Sequence, residues 1–247
     1  MELYFIRHAQ SRNNVRFDQT GRHIDREEDP EITELGHRQA QLVAEHLAAP
    51  LTEYEGHILD YQNRYGFGLT HLYCSLMVRA IQTGTYIARA CNLPLVAWPE
   101  IHERGGIFLP DRVTGEREGR PGPNRAFFVM RFPYLILPDT LGEAGWWNQP
   151  AELWHLVADR ARLVLQQLLK RHGGTEDRVG IVSHGGFFQV LTAVLLNIPT
   201  QISHNDTERT SRFGINNVSI SRFVFTDQTI DIIYLNNTRF LPPELLT

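Results

Sequence analysis

The chain has 247 residues, of which 42% are hydrophobic and 21% charged, so it can bury a core of domain size. A net charge of -4 argues against general nucleic-acid binding, which needs a broad positive field. Cys74 and Cys91 form neither a CxxC pair nor a zinc-spaced cluster, which excludes a disulfide scaffold.

The opening MELYFIRHAQS has charges at Glu2 and Arg7, unlike a secretory signal, and no apolar run is long enough to span a bilayer. A soluble cytoplasmic protein is expected, without membrane or nucleic-acid partners. Leu3 to Ile6 reads as a buried strand whose end delivers Arg7 and His8. Thr33 caps a helix in which Leu35, Gln39, Val43 and Leu47 recur at helical spacing, ending before Pro50. His71 to Ser75 is a second strand leading into a helix over Val78 to Cys91.

Ala151 to His172 predicts a long helix with Leu153, Leu156, Val157, Val164, Leu165 and Leu168 on one stripe and Asp159, Arg160 and Arg162 on the polar face. Gly173-Gly174 is its expected C-terminal cap. Val179 to Val182 is a third buried strand, and Gly185-Gly186 opens a helix with Phe187, Val190, Leu191, Val194 and Leu195. Asn217 to Phe225 and Thr229 to Leu235, around Asp227-Gln228, predict a terminal hairpin or two edge strands.

Three strand-turn-helix units imply an α/β fold: a three-layer α/β/α arrangement with a mostly parallel central sheet, one domain over 1–247. Ligands of such sheets bind where strands end, which is where Arg7-His8 and Ser183-His184 fall. Two insertions interrupt the pattern, at about 50–70 with Tyr54, Tyr61 and Tyr65, and at 104–150 with Trp146-Trp147. The second is too long for a structureless loop and reads as a lid or cap.

A histidine after a buried strand can attack phosphorus when one ring nitrogen is neutral and the other is held. Arg7, Ser11 and Asn14 could donate to phosphoryl oxygens, and the glycine-opened helix at Gly185-Gly186 could bring backbone N–H groups to an anion. Arg79 sits in the first turn of the helix after the second strand. Taken singly, each segment equally fits a structural or surface role.

Together they resemble the histidine phosphatase superfamily, also called the phosphoglycerate mutase-like family. The match is Arg-His-x-x-Ser-x-x-Asn at 7–14, Thr-x-x-Gly-x-x-Gln-Ala at 33–40, Ser-x-x-x-Arg-Ala-x-Gln-Thr at 75–83 and Ser-His-Gly-Gly at 183–186. The resemblance implies that His8 is the phosphorylated nucleophile, that Arg7, Arg79 and His184 bind the phosphoryl group, and that Ser11 and Asn14 line its pocket. It also implies an acidic proton donor near Ile101 to Gly106, with Glu103 the candidate and Glu100 its competitor. Ala9 departs from the family's usual glycine.

The expected function is hydrolysis of a small phosphomonoester through phospho-His8, with no metal and no cofactor. The alternatives are phosphoglycerate mutase-type transfer and a phosphoryl-ligand binding protein without turnover. A metal hydrolase built on His8, His184 and Glu103 would have a poor ligand set. Oligomeric state is open, with Trp146-Trp147 placed at the cleft mouth or an interface.

Overall fold

In strand β1 (Glu2–Arg7), Leu3 and Phe5 alternate with Tyr4 and Ile6, and all four are buried. A strand buried on both faces needs a helical layer on each side, and that is how the computed structural model arranges the chain. The structure describes residues 1–21, 26–52, 60–198 and 213–247. After β1 come α1 (Arg12–Thr20), α2 (Glu34–Leu47), β2 (His71–Cys74), α3 (Val78–Cys91) and β3 (Leu95–Ala97). Then follow β4 (Phe108–Pro110), β5 (Arg117–Gly119), α4 (Arg125–Arg131), β6 (Leu135–Ile136), α5 (Trp154–His172), β7 (Arg178–Ser183), α6 (Gly185–Leu195), β8 (Ile220–Phe225) and β9 (Ile230–Asn237).

The main sheet has the order β6-β3-β2-β7-β1-β8-β9. Its first five strands are parallel, while β8 runs antiparallel to β1 and β9 to β8. Tyr4 and Ile6 pack with Ala40, Val43 and Leu47 of α2 and Ala80 and Ile81 of α3. Leu3 and Phe5 pack on the other face with Val157, Val164 and Leu168 of α5 and Phe187, Phe188 and Leu191 of α6. This is the expected α/β/α fold.

The 33–40 segment serves the loop after β1. Thr33 caps α2 by accepting the Gly36 N–H at 3.0 Å, a contact worth about 1 kcal/mol. A Cβ at Gly36 would meet the Gln10 carbonyl oxygen at 2.3 Å, so only glycine lets the helix approach the loop this closely. Gln39 is buried and accepts the Gln10 N–H at 2.7 Å while donating to the Leu245 carbonyl at 2.8 Å.

Several expectations are corrected. Helix α5 begins at Trp154, and Leu153 and Leu156 are exposed; Ala158 and Ala161 complete its buried stripe instead. Its C-terminus is as expected: Gly173 is the C-cap with a φ of -61°, and Gly174 takes the positive φ. Strand β8 is internal, so of this terminal pair β9 alone lies at an edge of the sheet. The 104–150 insertion divides its work: the β4–β5 hairpin stands over the strand ends, whereas β6 pairs with β3 and extends the main sheet. Tyr54 lies outside the described residues; Tyr61 is exposed.

Candidate active site

Strands β1 and β7 are neighbours in register, with Arg7 opposite Ser183, so His8 and His184 emerge side by side at the carboxyl end of the sheet. The His8 N–H donates to the Ser183 carbonyl at 2.9 Å, and the two imidazoles lie 5.0 Å apart. His8 Nδ1 contacts the Ala9 carbonyl at 2.7 Å, and Arg79 Nε donates to His8 Nε2 at 3.2 Å. Both contacts require one tautomer, with the proton on Nδ1 and a lone pair on Nε2. Burial, then the charges of Arg79 and Arg7, hold His8 well below the ordinary histidine pKa, so the ring is neutral.

Ser75, just after β2, accepts the Met77 N–H at 3.3 Å and therefore turns its hydroxyl hydrogen to His184 Nε2 at 2.6 Å. That leaves a proton on His184 Nδ1, which is buried and without a hydrogen-bond partner among the described residues. Burial and then Arg79 also depress the His184 pKa.

Arg79 is in the first turn of α3, whose N-terminus is capped by a residue the sequence reading missed. Asp29 accepts the Val78 N–H through both carboxylate oxygens, at 3.1 and 3.2 Å, and lies 3.6 Å from Arg79 Nη1. Burial pushes the Asp29 carboxyl up to about 6 against the opposing pull of Arg79. Arg7 donates Nη1 to the Ile215 carbonyl at 2.6 Å and leaves its buried Nε unbonded.

Asn217, also missed, donates to the His8 carbonyl at 2.8 Å from the chain entering β8. Its neighbour Val218 holds the Arg7 carbonyl by its N–H at 3.0 Å and has a φ of 52°. A β-branched residue in that region costs on the order of 1–3 kcal/mol, strain that the surrounding contacts of the His8 loop sustain.

Glu103 lines the same cleft; Glu100 does not, and instead gives its carbonyl to Arg160 at 2.7 Å. The Glu103 carboxylate accepts the Arg104 N–H at 2.8 Å and the Gly186 N–H at 3.1 Å. The N-terminus of α6, expected to cradle the ligand anion, is thus already occupied in part by Glu103. Ser11 and Asn14 form the capping box of α1, with Ser11 N–H and hydroxyl donating to Asn14 Oδ1 at 3.0 and 2.9 Å. These bonds engage the oxygen of Asn14 and not its amide hydrogens. Gly185 lines the cleft, and a Cβ there would lie 3.4 Å from Arg7 Nε.

Arg160 was expected on a solvent face, but its guanidinium is buried and forks onto Glu152 at 2.7 and 2.8 Å while also donating to the His102 carbonyl at 3.1 Å. Glu152 in turn accepts the Gly105 N–H at 3.2 Å, so this pair braces both sides of Glu103. Trp146 and Trp147 stack around His102 at 5.7 and 4.7 Å, and Trp147 is buried with Met77 and Ile107. Trp146 is half-buried, and neither tryptophan lines the cleft.

The cleft has a volume of about 730 Å³. Six arginines line it, at positions 7, 26, 79, 104, 112 and 117, against the carboxylates Glu103 and Asp111. Arg26 and Arg117 both lie over the Phe108 ring, at 4.1 and 4.9 Å from its centroid. The described residues contain no helix long and apolar enough to cross a membrane.

The model of the histidine phosphatase superfamily (branch 1) matches residues 3–54 and 61–238. Proteins named probable phosphoglycerate mutase GpmB, from Yersinia pestis (strain Pestoides F) and Yersinia pseudotuberculosis (serotype IB, strain PB1/+), are 31% identical over 222 residues, covering 90% of this chain and 84% of theirs. A phosphoserine phosphatase from Entamoeba histolytica, solved with phosphoserine, superposes with a TM-score of 0.57 at 19% identity, over 98% of this chain and 99% of that one. A mycobacterial glucosyl-3-phosphoglycerate phosphatase gives 0.56 at 18%, over 96% and 99%. The two solved structures show a common fold. The chain belongs to the histidine phosphatase superfamily.

Proposed function

We propose that this histidine phosphatase superfamily member hydrolyses a small phosphomonoester by two in-line displacements through phospho-His8. The observation that carries the reading is the His8 tautomer, which presents a neutral Nε2 lone pair beside Arg79 in a cleft of excess positive charge. On substrate arrival the Arg79 guanidinium passes its hydrogen bond from Nε2 to a phosphoryl oxygen, freeing the lone pair for attack. Arg7 Nε, His184 Nδ1 and the Asn14 amide supply further donors to the equatorial oxygens.

Phosphorus–oxygen bond cleavage produces an alkoxide, which Glu103 protonates; the same carboxylate then takes a proton from the water that attacks phospho-His8. Arginines and histidines match the developing charge, so this route needs no metal. The hydrolysis reading places a soluble, cytoplasmic protein of one domain with small phosphorylated substrates as its partners. Glu100 lies off the cleft, which favours Glu103 as the acid.

The cleft charge also bears on substrate class. Among the described residues six arginines line the cleft against Glu103 and Asp111, with Asp29 beside Arg79, and this excess of positive charge exceeds the roughly two negative charges of one phosphomonoester. We therefore propose a substrate with a second anionic group, held by Arg26 and Arg117, whose guanidinium edges stay open for acceptors when their faces stack on Phe108. The names of the relatives, with phosphoserine and phosphoglycerate among them, agree with this class.

Turnover in ¹⁸O-water tests the reaction. Label entering inorganic phosphate and not the alcohol supports hydrolysis at phosphorus. Isomerisation of 3-phosphoglycerate outpacing phosphate release would make the mutase reading the correct one.

A further inference from the structure

At the opposite end of the sheet, His71, His172 and Asp177 each present a ligand atom within 4.8 Å of the others. His71 begins β2, His172 ends α5 and Asp177 precedes β7, so the group gathers the amino ends of the strands whose carboxyl ends build the catalytic cleft. Strand β7 alone is six residues long, which separates the two sites by roughly 20 Å. The phosphoryl chemistry uses none of these three residues.

The framework around the cluster is built. Asp177 is fixed by its backbone, its carbonyl accepting the Glu2 N–H at 2.8 Å and its N–H donating to Thr175 Oγ1 at 3.0 Å. The His172 side chain is almost fully buried, with Nδ1 2.9 Å from Asp177 Oδ2 and Nε2 3.1 Å from the Tyr73 hydroxyl. The rings of His71 and His172 lie 4.6 Å apart, and His71 Nδ1 is 3.9 Å from Asp177 Oδ1. The His71 side chain is 43% exposed, which provides an entry path from solvent.

We infer that this cluster is a binding site for a borderline divalent transition cation such as zinc. Two imidazoles and one carboxylate form a common zinc ligand set, completed by water. Ligand atoms bound at about 2.0–2.2 Å to a tetrahedral ion lie roughly 3.3 Å apart, and the three here lie within 4.8 Å of one another, so side-chain rotations at the partly exposed His71 close the site. In the structure His172 Nδ1–H donates to Asp177 Oδ2; an arriving ion takes the Nδ1 lone pair as the imidazole switches to its Nε2–H tautomer, whose proton the Tyr73 hydroxyl oxygen accepts, so that an outer hydrogen bond orients the metal-binding histidine. Binding would tie together the starts of β2 and β7 and the end of α5, making the ion a structural clamp.

Cobalt(II) titration of the full chain, read by visible absorption, tests the site, with zinc competition and thermal unfolding as second readouts. The expected result is one ion per chain with the intense band of a tetrahedral centre, displaced by zinc, and a zinc-dependent rise in unfolding midpoint. His71→Ala and Asp177→Asn should each weaken binding by at least about tenfold. His8→Ala should retain it, since the catalytic cleft is not involved. Absence of saturable 1:1 binding below millimolar cobalt, or binding equal in wild type, His71→Ala and Asp177→Asn, overturns the inference.

Discussion

Arg79 donates its Nε–H to His8 Nε2 at 3.2 Å, so a permanent cation sits on the lone pair of the proposed nucleophile and keeps protons off it. With His8, His102 and His184 all buried and held well below 6.5, each is neutral in the fold and takes up a proton on unfolding in acid. Lowered folded pKa values give stability that is present above pH 6.5 and lost as pH falls. Asp29 opposes this: raised from 3.8 to about 6, it releases a proton on unfolding between those values. For these four groups the balance is a net uptake of two protons, or roughly 3 kcal/mol of stability lost per pH unit below about pH 6, and His46, also lowered by burial, adds in the same direction. Urea midpoints at pH 7.5 and 5.5 check the slope, and imidazole NMR should find His8 and His184 neutral at pH 6. A flat midpoint contradicts the buried, neutral histidines.

Gly186 and Gly185 should respond differently to alanine. A Cβ at Gly186 would stand 2.3 Å from Glu103 Oε1 and 2.7 Å from Arg104 Nε, displacing the carboxylate, whereas at Gly185 the nearest atom is 3.4 Å away. Gly186→Ala should lower kcat about 100-fold, as Glu103→Gln would by removing a general acid. Gly185→Ala should stay within about threefold. Steady-state kinetics on one monoester decides; equal effects would dissociate Gly186 from Glu103.

Arg160→Met leaves Glu152 buried without its cation and should cost about 3–5 kcal/mol in urea unfolding. Arg160→Lys restores charge without the fork and should recover only part of this. The kcat of the lysine variant should fall while KM holds, because the Glu103 segment loses its brace. Unchanged stability in Arg160→Met would contradict the bracing role.

The strand ends that line the cleft were legible because short apolar runs precede Arg7-His8 and Ser183-His184, and it was the resemblance of the spaced motifs to the histidine phosphatase superfamily that placed Arg79 with them. Asp29 and Asn217 were not legible, since Asp29 is one of a run of acidic residues and Asn217 one of an asparagine pair, and the partner of each lies 49 or 209 positions away. Periodicity also misassigned Arg160: a charged residue on a helix reads as solvated, but here loop carbonyls and Glu152 demand a buried donor. Strand β6 escaped because two residues inside a Gly- and Pro-rich insertion carry no pattern.

The substrate-class proposal separates two compounds that share a primary phosphate. Wild type should prefer 3-phosphoglycerate over 1-phosphoglycerol by about tenfold or more in kcat/KM, the worth of one charge-assisted hydrogen bond to the carboxylate. Arg117→Gln should shrink that ratio to near unity, chiefly through KM, and leave 1-phosphoglycerol turnover close to wild type. Equal specificity constants in wild type would remove the second anionic group from the account.

Rapid-quench incubation with a ³²P-labelled phosphomonoester, with and without chelator, tests phosphoryl transfer through His8 most directly. The account predicts an acid-labile, base-stable phosphoenzyme approaching one per chain, insensitive to chelator and absent in His8→Ala. No such species in wild type, or an undiminished one in His8→Ala, would contradict it.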